Sequence, residues 1–453
     1  MIREAEIIEH CKYIIKSIKT VCTKDEFVIA NFDSRTGRIL NPNVNTDDIA
    51  DHLLFIICFS KIINDKDTLE WAINQFKLQK SCLQLNCGLF AEHKAGNRLP
   101  SKTNFQVVHV KYQEDYPIGS IPSYLLTNNK VFLEGTELFL DGVIKYAIDK
   151  NGYVCNRILP ALRLRYPWAS SECLGLFIEG FVDMFALTER EKYLNIAKHI
   201  SNTLTENSSF LKHGFFPNGW NIFLKIPTRS HKKSRKKFEM MKPNTNTLFG
   251  LLSLYRVTGD GFLENVIKKW LNSLKKIEYN RGVFYNMWDI SKKEASGIVD
   301  KTANHAILDV LIESSIVLGE DKYLKLAISG SKWWLGRDKN GLIPDGIKGQ
   351  KEWKICMIDS HADLTVVFLK LYQITHDEEF LEIALDNMKA LNFFKDKYGL
   401  AWKVNTETNE ISDHINKTKF LGGCLKALLT TYITLKGEKI YKDKLLRMLT
   451  RDR

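Results

Sequence analysis

His305, His361 and His414 stand at matching points of three successive helical patterns, each within a few residues of a carboxylate or an amide. Asp300 and Asn304 precede the first, Asp359 precedes the second, and Asp413 and Asn416 flank the third. Imidazoles and carboxylates gathered at helix starts have the groups needed for proton transfer. The equivalent points of earlier helical patterns carry Asp47, Asp48, Asp51 and His52, then Trp168, Ser170, Ser171 and Glu172, then Asn244, Thr245 and Asn246. An Asp at a helix start is also an ordinary cap, so Asp47, Asp300, Asp359 and Asp413 each have a structural task open to them. The recurrence of histidine is what singles these positions out. Trp220, Tyr285, Trp288 and Trp402 fall in the loops that lead to the same helix starts. Aromatic faces that stack on rings, with polar groups that fix hydroxyls, suit a saccharide ligand.

The elements that must position these groups are helical hairpins. The stretch 300–335 reads as an inner helix that is apolar on nearly every side, a break at Gly319-Glu320-Asp321, and an amphipathic outer helix wetted by Lys322, Lys325 and Lys332. So short a turn forces the two helices antiparallel. The turn recurs as Thr258-Gly259-Asp260-Gly261-Phe262-Leu263 and Thr375-His376-Asp377-Glu378-Glu379-Phe380-Leu381, with further copies near 64, 128, 189 and 437. Gly or Asn would close the inner helix, an acid would cap the outer one, and an aromatic–Leu pair would dock it, with Leu69, Leu133, Leu194, Leu263, Leu324 and Leu381 pointing inward. A second signature, Gly followed by an apolar pair, opens each return: Gly88-Leu89-Phe90, Gly214-Phe215-Phe216 and Gly282-Val283-Phe284 are examples, expected to be outer-helix C-caps. The predicted architecture is all-α, a toroid of six to seven hairpins with short strands in the loops. Its long loops lie at one end and its tight turns at the other. The third inner helix is expected over 168–186, and the second, near 120–126, is short.

With 453 residues, 44% of them hydrophobic, the chain can bury a large core. The even spacing of hairpins and the lack of a Pro/Gly/Ser-rich linker predict one domain over 1–453. Arg3, Glu4, Glu6 and Glu9 break any apolar leader in the first twenty residues, and the longest apolar run, Leu53–Phe59, is too short to span a bilayer. Nine cysteines without a CxxC pair fit a reducing, cytoplasmic setting, with neither a metal site nor a cofactor expected. The net charge is +12, and the segment 229–237 alone holds six Lys or Arg, including Lys232, Lys233, Lys236 and Lys237. Placed at the mouth of the ring, such a loop would attract an anionic glycan. The basic residues form a patch without a nucleic-acid module, so a nucleic-acid partner is not expected.

A ring of hairpins with repeated Thr-Gly-Asp-x-Phe/Tyr-Leu turns and Gly-started returns resembles the six-hairpin glycosidase-like superfamily, the (α/α) toroid proteins that act on carbohydrates. The resemblance spans about 47–449 and concerns architecture. It implies a saccharide partner and a site at the inner-helix starts, and it transfers no catalytic set.

Three activities fit the residues at those starts. A glycosidase acting on a uronate-like oligo- or polysaccharide would draw its acid and base from Asp48, Glu172, Asp300, Asp359 and Asp363. A sugar epimerase or lyase would use His305, His361, His414 or Tyr285 as base, with Asn304 to steady developing charge. A non-catalytic glycan-binding factor in polysaccharide production would need only the groove. For the catalytic readings, His305 and His361 are expected to converge on one sugar between Asp300, Asn304 and Asp359.

Overall fold

A computed structural model of the protein describes residues 3–44, 46–206, 208–228, 237–349 and 351–451; the side chains of Asp47, Asp48, Ile49, Asp51 and Ser208 are outside that description. Sixteen α-helices run through the described residues: α1 Glu4–Thr20, α2 Thr46–Ile62, α3 Lys66–Cys82, α4 Tyr116–Thr127, α5 Lys130–Gly142, α6 Ser171–Thr188, α7 Glu191–Thr205, α8 Ser208–His213, α9 Thr245–Thr258, α10 Gly261–Ser273, α11 Lys301–Leu318, α12 Asp321–Leu335, α13 Ile358–Thr375, α14 Glu378–Lys389, α15 Thr418–Leu435 and α16 Lys444–Thr450. Seven of them form an inner ring in the order α2, α4, α6, α9, α11, α13, α15, and α15 packs back on α2 to close it. Six inner helices carry the outer helix that follows them in the chain, and α1 supplies the seventh by packing on α15. The architecture is therefore an (α/α) toroid of seven hairpins.

The sequence explains the two layers. Inner helices such as α6 and α11 are buried along almost their whole length, because one side meets the lumen and the other meets the outer ring. Outer helices such as α10 and α7 keep a dry stripe and a wet face. At the tight turns the inner helix ends in a left-handed residue, Asn128, Glu189, Gly259, Gly319 or His376. Four of the outer helices then start on a side-chain cap: Asp65 accepts from Thr68 N, Asn129 from Val131 N, Asp260 from Phe262 N and Asp377 from Glu379 N. The docking residue differs from expectation. Phe132, Tyr323 and Phe380 are the buried members of their pairs, while Leu133, Leu324 and Leu381 sit half-buried beside them; in α7 both Tyr193 and Leu194 are buried, as expected for Leu194. The larger apolar face takes the deeper position. Only in α10 is the order reversed, with Leu263 buried and Phe262 exposed.

At the other end, small antiparallel sheets tie neighbouring hairpins together. The strand that leads into an inner helix pairs with strands of the next loop: Trp168–Ser170 with Gly219–Asn221, Lys237–Glu239 with Met287–Asp289, Val299–Asp300 with Gly346–Lys348, and Ile355–Met357 with Lys403–Asn405. The same pairing joins Ile415–Lys417 to Asn31–Asp33, so the two terminal parts of the chain close the circle with backbone hydrogen bonds. Trp168 therefore belongs to a strand, and α6 begins only at Ser171.

The Gly-started returns are mostly hairpin tips rather than helix caps. Gly282 lies between Glu278–Asn280 and Val283–Phe284, and a bridge from Lys339 to Leu342 spans Asn340-Gly341. Gly214 is the exception, closing α8 through a bond from its N–H to Phe210 O. At Gly282 the backbone has φ +77°, and a Cβ there would stand 2.3 Å from Leu326 O on α12. No larger residue fits that approach of hairpin to helix.

Candidate active site

The inner-helix starts surround an axial cavity of about 870 Å³. Its wall draws on all seven inner helices or the residues just before them, from Phe55 on α2 to Gly422 and Gly423 on α15. Seven carboxylates line it. Glu114 and Asp115 precede α4, Glu172 opens α6, Glu239 precedes α9, Asp300 caps α11, and Asp359 and Asp363 lie one turn apart on α13. Five lysines alternate with them: Lys111, Lys242, Lys417, Lys419 and Lys426. Among the described residues no histidine lines this cavity.

Two of the carboxylates are driven in opposite directions. Glu172 is buried, which by itself would raise its pKa. Lys242 at 3.2 Å and Lys111 at 3.1 Å grip its two oxygens and outweigh the burial, holding the group well below the usual carboxylate range. Asp359 is raised instead, first by burial and then by the neighbouring charge of Asp363. Asp363 has its own counter-charge in Lys426 at 2.7 Å. The Trp402 indole donates to Asp359 Oδ1 at 3.4 Å and lies over Phe420 with the ring centres 6.0 Å apart. Around the ring α6 and α13 are three helices apart one way and four the other, so Glu172 and Asp359 open onto the lumen from opposite sides.

Of the residues expected from sequence, Asp300, Asp359 and Glu172 reach the cavity, and Trp402 stands directly behind it. Asp300 is held as a cap, accepting from Ala303 N at 2.6 Å and from the Asn286 amide. The described residues do not extend to the side chain of Asp48 or to Lys232, Lys233 and Lys236. Lys237 lies half-buried in a strand opposite Asp289.

The histidines are placed differently from the expectation. His361 is fully buried between α13 and α14, its Nε2 2.9 Å from Asn387 O and its ring stacked on Phe394. The register that carries Asp359 and Asp363 to the lumen turns residue 361 about 200° away, into the helix-packing layer. His305 is buried behind the cavity wall, with Nε2 3.8 Å from Asp363 Oδ2. His414 sits on the loop side, with Nδ1 2.6 Å from Asp396 Oδ2. The pair His305 and His361 thus does not converge on a cavity ligand.

Asn244 and Asn304 are clips rather than ligands. Asn304 accepts from Phe284 N at 2.8 Å and donates to Phe284 O at 2.9 Å; Asn244 does the same to Phe216 at 2.8 and 3.0 Å. Gln113 makes the equivalent pair with Phe90. Each amide satisfies both backbone groups of the residue two places after a return glycine, and so joins a loop to the start of the next inner helix. Asn246 is buried in α9, away from the cavity wall. The remaining aromatics are mainly packing groups. Trp220 is buried against Tyr153, Trp288 against Phe215, and Tyr285 meets Tyr279 edge-on. Trp168 is 48% exposed and stands apart from the cavity wall.

Lys417, next to the last inner-helix start, was within reach of sequence inspection, which missed Lys111, Lys242, Lys419, Lys426, Glu239 and the pair Glu114-Asp115. The signal for Lys111, Lys242, Lys419 and Glu239 was present, since they too fall within about six residues of inner-helix starts, whereas Lys426 lies two turns into α15. Glu114 and Asp115 were hidden because α4 begins at Tyr116, with Pro117 in its first turn and Pro122 within it, which obscures the helical pattern.

The fold is an (α/α) toroid of seven hairpins with a polar axial cavity at the inner-helix starts. No protein-family model matches the sequence, and no curated protein matches it. Among solved structures, the chain is similar to an alpha-1,2-mannosidase from Trichoderma reesei, with a TM-score of 0.68 and 12% identity over 94% of this chain and 93% of that one. It is also similar to a sugar epimerase from a ruminal bacterium, with a TM-score of 0.62 and 13% identity over 81% and 99%. A cellobiose 2-epimerase from Bacillus thermoamylovorans aligns with a TM-score of 0.59 and 12% identity over 78% and 98%. At these identities the likeness is one of fold.

Proposed function

We propose that the chain is a glycoside hydrolase, acting as one domain in the cytoplasm on an anionic, uronate-like oligo- or polysaccharide. The observation that carries this is the opposed tuning of Glu172 and Asp359 on facing walls of one cavity. Environments that push two carboxyl groups apart mark out an acid and a base. Asp359, raised by burial and by Asp363, is suited to deliver a proton to the glycosidic oxygen. Glu172, kept ionised by Lys111 and Lys242, is suited to take a proton from water as its hydroxyl joins the anomeric carbon.

The cavity volume falls in the range of roughly 300–1,000 Å³ that ligand pockets occupy. The similar folds of a mannosidase and two epimerases support a saccharide as ligand. The absence of an imidazole from the described lining favours hydrolysis over proton abstraction by histidine. Five lysines on the wall and a net charge of +12 support an anionic sugar. The nine cysteines are all free, which agrees with a reducing compartment. No helix among the described residues is long and apolar enough to cross a membrane, and none of their His, Cys, Asp and Glu groups is arranged to hold a metal ion.

The test is turnover of a panel of neutral and uronate-containing oligosaccharides. Asp359→Asn and Glu172→Gln should each lower kcat by about 100- to 10,000-fold while the fold stays intact. Asp359→Asn should also remove the alkaline limb of the pH–rate profile. Turnover that survives both substitutions would overturn the assignment.

A further inference from the structure

The axial cavity has a floor. Beyond the cavity, ion pairs join neighbouring inner helices: Lys370 on α13 holds both oxygens of Asp309 on α11 at 2.7 Å, and Arg256 on α9 meets Glu313 on α11 at 2.8 Å. The segment after α15 lies across the same level. Tyr441 is buried within electrostatic reach of Glu313, Asp309 and Arg256, and α16 packs on α4 and α15. Arg451 pairs with Glu179 and with Asp183, the latter at 2.9 Å, both on α6 two to three turns below Glu172. A segment that meets α4, α6, α9, α11 and α15 together can only lie on the axis. Lys426 links the two levels, with Nζ 2.7 Å from Asp363 in the cavity and 3.4 Å from Arg451 O in the plug.

The mouth side continues outward instead. Tyr112, 44% exposed, lines both the axial cavity and a rim pocket of about 480 Å³. That pocket offers Asn43 and Asn97 as amides, Arg98 as a cation, and His109 paired to Glu92. A polar pocket joined to the cavity through one exposed aromatic ring is suited to further sugar units, since a ring face stacks on a pyranose.

Resting on the hydrolase reading, we propose that the enzyme works from the end of a glycan. The terminal unit occupies the blind cavity above Lys426, and the units behind it leave over Tyr112 into the rim pocket. Each cycle breaks the glycosidic bond next to the terminal unit and consumes one water. The water's hydroxyl joins the anomeric carbon, and a proton passes through the enzyme to the departing oxygen. A chain threaded through the ring would have to displace the ionic floor, so internal bonds are out of reach.

The experiment uses the full chain and linear hexasaccharides with a fluorescent label at one end, in neutral and uronate series, with cyclomaltohexaose beside maltohexaose. Early products should be the hexamer shortened from one end only, with internal fragments absent at low conversion. Tyr112→Ala should raise KM on hexamers about five-fold or more, and an unchanged KM would remove the ring from the path of the glycan. A mixture of internal fragments that depends on Asp359 would overturn end-on action and leave the hydrolase reading standing. If the wild-type chain turns over no member, the hydrolase reading falls, and binding by calorimetry decides end-on entry alone. Binding of linear but not cyclic hexamers then supports it; equal binding, or binding of neither, overturns it.

Discussion

His361 shows how a residue can have the right spacing and the wrong direction. It stands two residues after Asp359, at the helix start where a site was expected, yet its ring closes the gap between α13 and α14. Its Nε2 faces a carbonyl, so that nitrogen carries the proton. Burial first, and the charge of Lys301 second, push its pKa down to about 3 from 6.5. The folded protein therefore refuses a proton that the unfolded chain accepts below pH 6.5. The stability this neutral ring contributes is whole above pH 6.5 and is lost as pH falls from there towards 3. His361→Met should flatten the dependence of urea-unfolding stability on pH between 6 and 4, by up to ~1.4 kcal/mol per pH unit. An unchanged slope would mean the ring is protonated in the folded state.

At the scale of the element, the site depends on how closely α6 and α9 approach. Gly175 and Gly250 face each other across that contact. A Cβ on Gly250 would stand 2.3 Å from Gly175 O, and one on Gly175 would stand 2.5 Å from Asn246 O. The bare backbones thereby bring Glu172, less than one turn before Gly175, against Lys242 in the turn before α9. Gly250→Val would force the helices apart. Overpacking of this kind costs about 1–3 kcal/mol, and it should lengthen the Glu172–Lys242 pair. The expected outcome is a lower unfolding midpoint together with reduced turnover of the saccharide panel. A variant with native stability and activity would show that the contact relaxes freely.

Across the whole molecule, the plug makes ring closure and floor one structure. Arg451 neutralises two acids on α6 that are almost without solvent contact, Glu179 at 2% and Asp183 at 3% exposure. Removing one partner from a buried ion pair costs about 3–5 kcal/mol, because the remaining charge is stranded. Arg451→Met should lower stability by that order in chemical unfolding. Adding Glu179→Gln and Asp183→Asn should restore part of the loss, and their non-additivity measures the coupling. Losses that simply add would mean that the tail and α6 are energetically independent.

The hairpins were legible from local chemistry alone. Thr258-Gly259-Asp260 names a left-handed cap and an N-cap by residue type, and the 3.6-residue stripes of α7 and α10 separate wet faces from dry ones. Those features depend only on neighbours in the chain, so the turn sites and the toroid could be read without coordinates. The number of hairpins and the directions of side chains could not. An inner helix buried on both sides has no polar stripe to reveal which residues face the lumen, and Asp359 and His361 looked equivalent until the ring set the rotation of α13. Asn244 and Asn304 read as ligands because their backbone partners, Phe216 and Phe284, lie twenty or more residues away. The pairing of Glu172 with Lys111 and Lys242 joins residues 61 and 70 positions from it, and only the closed ring brings their charges together.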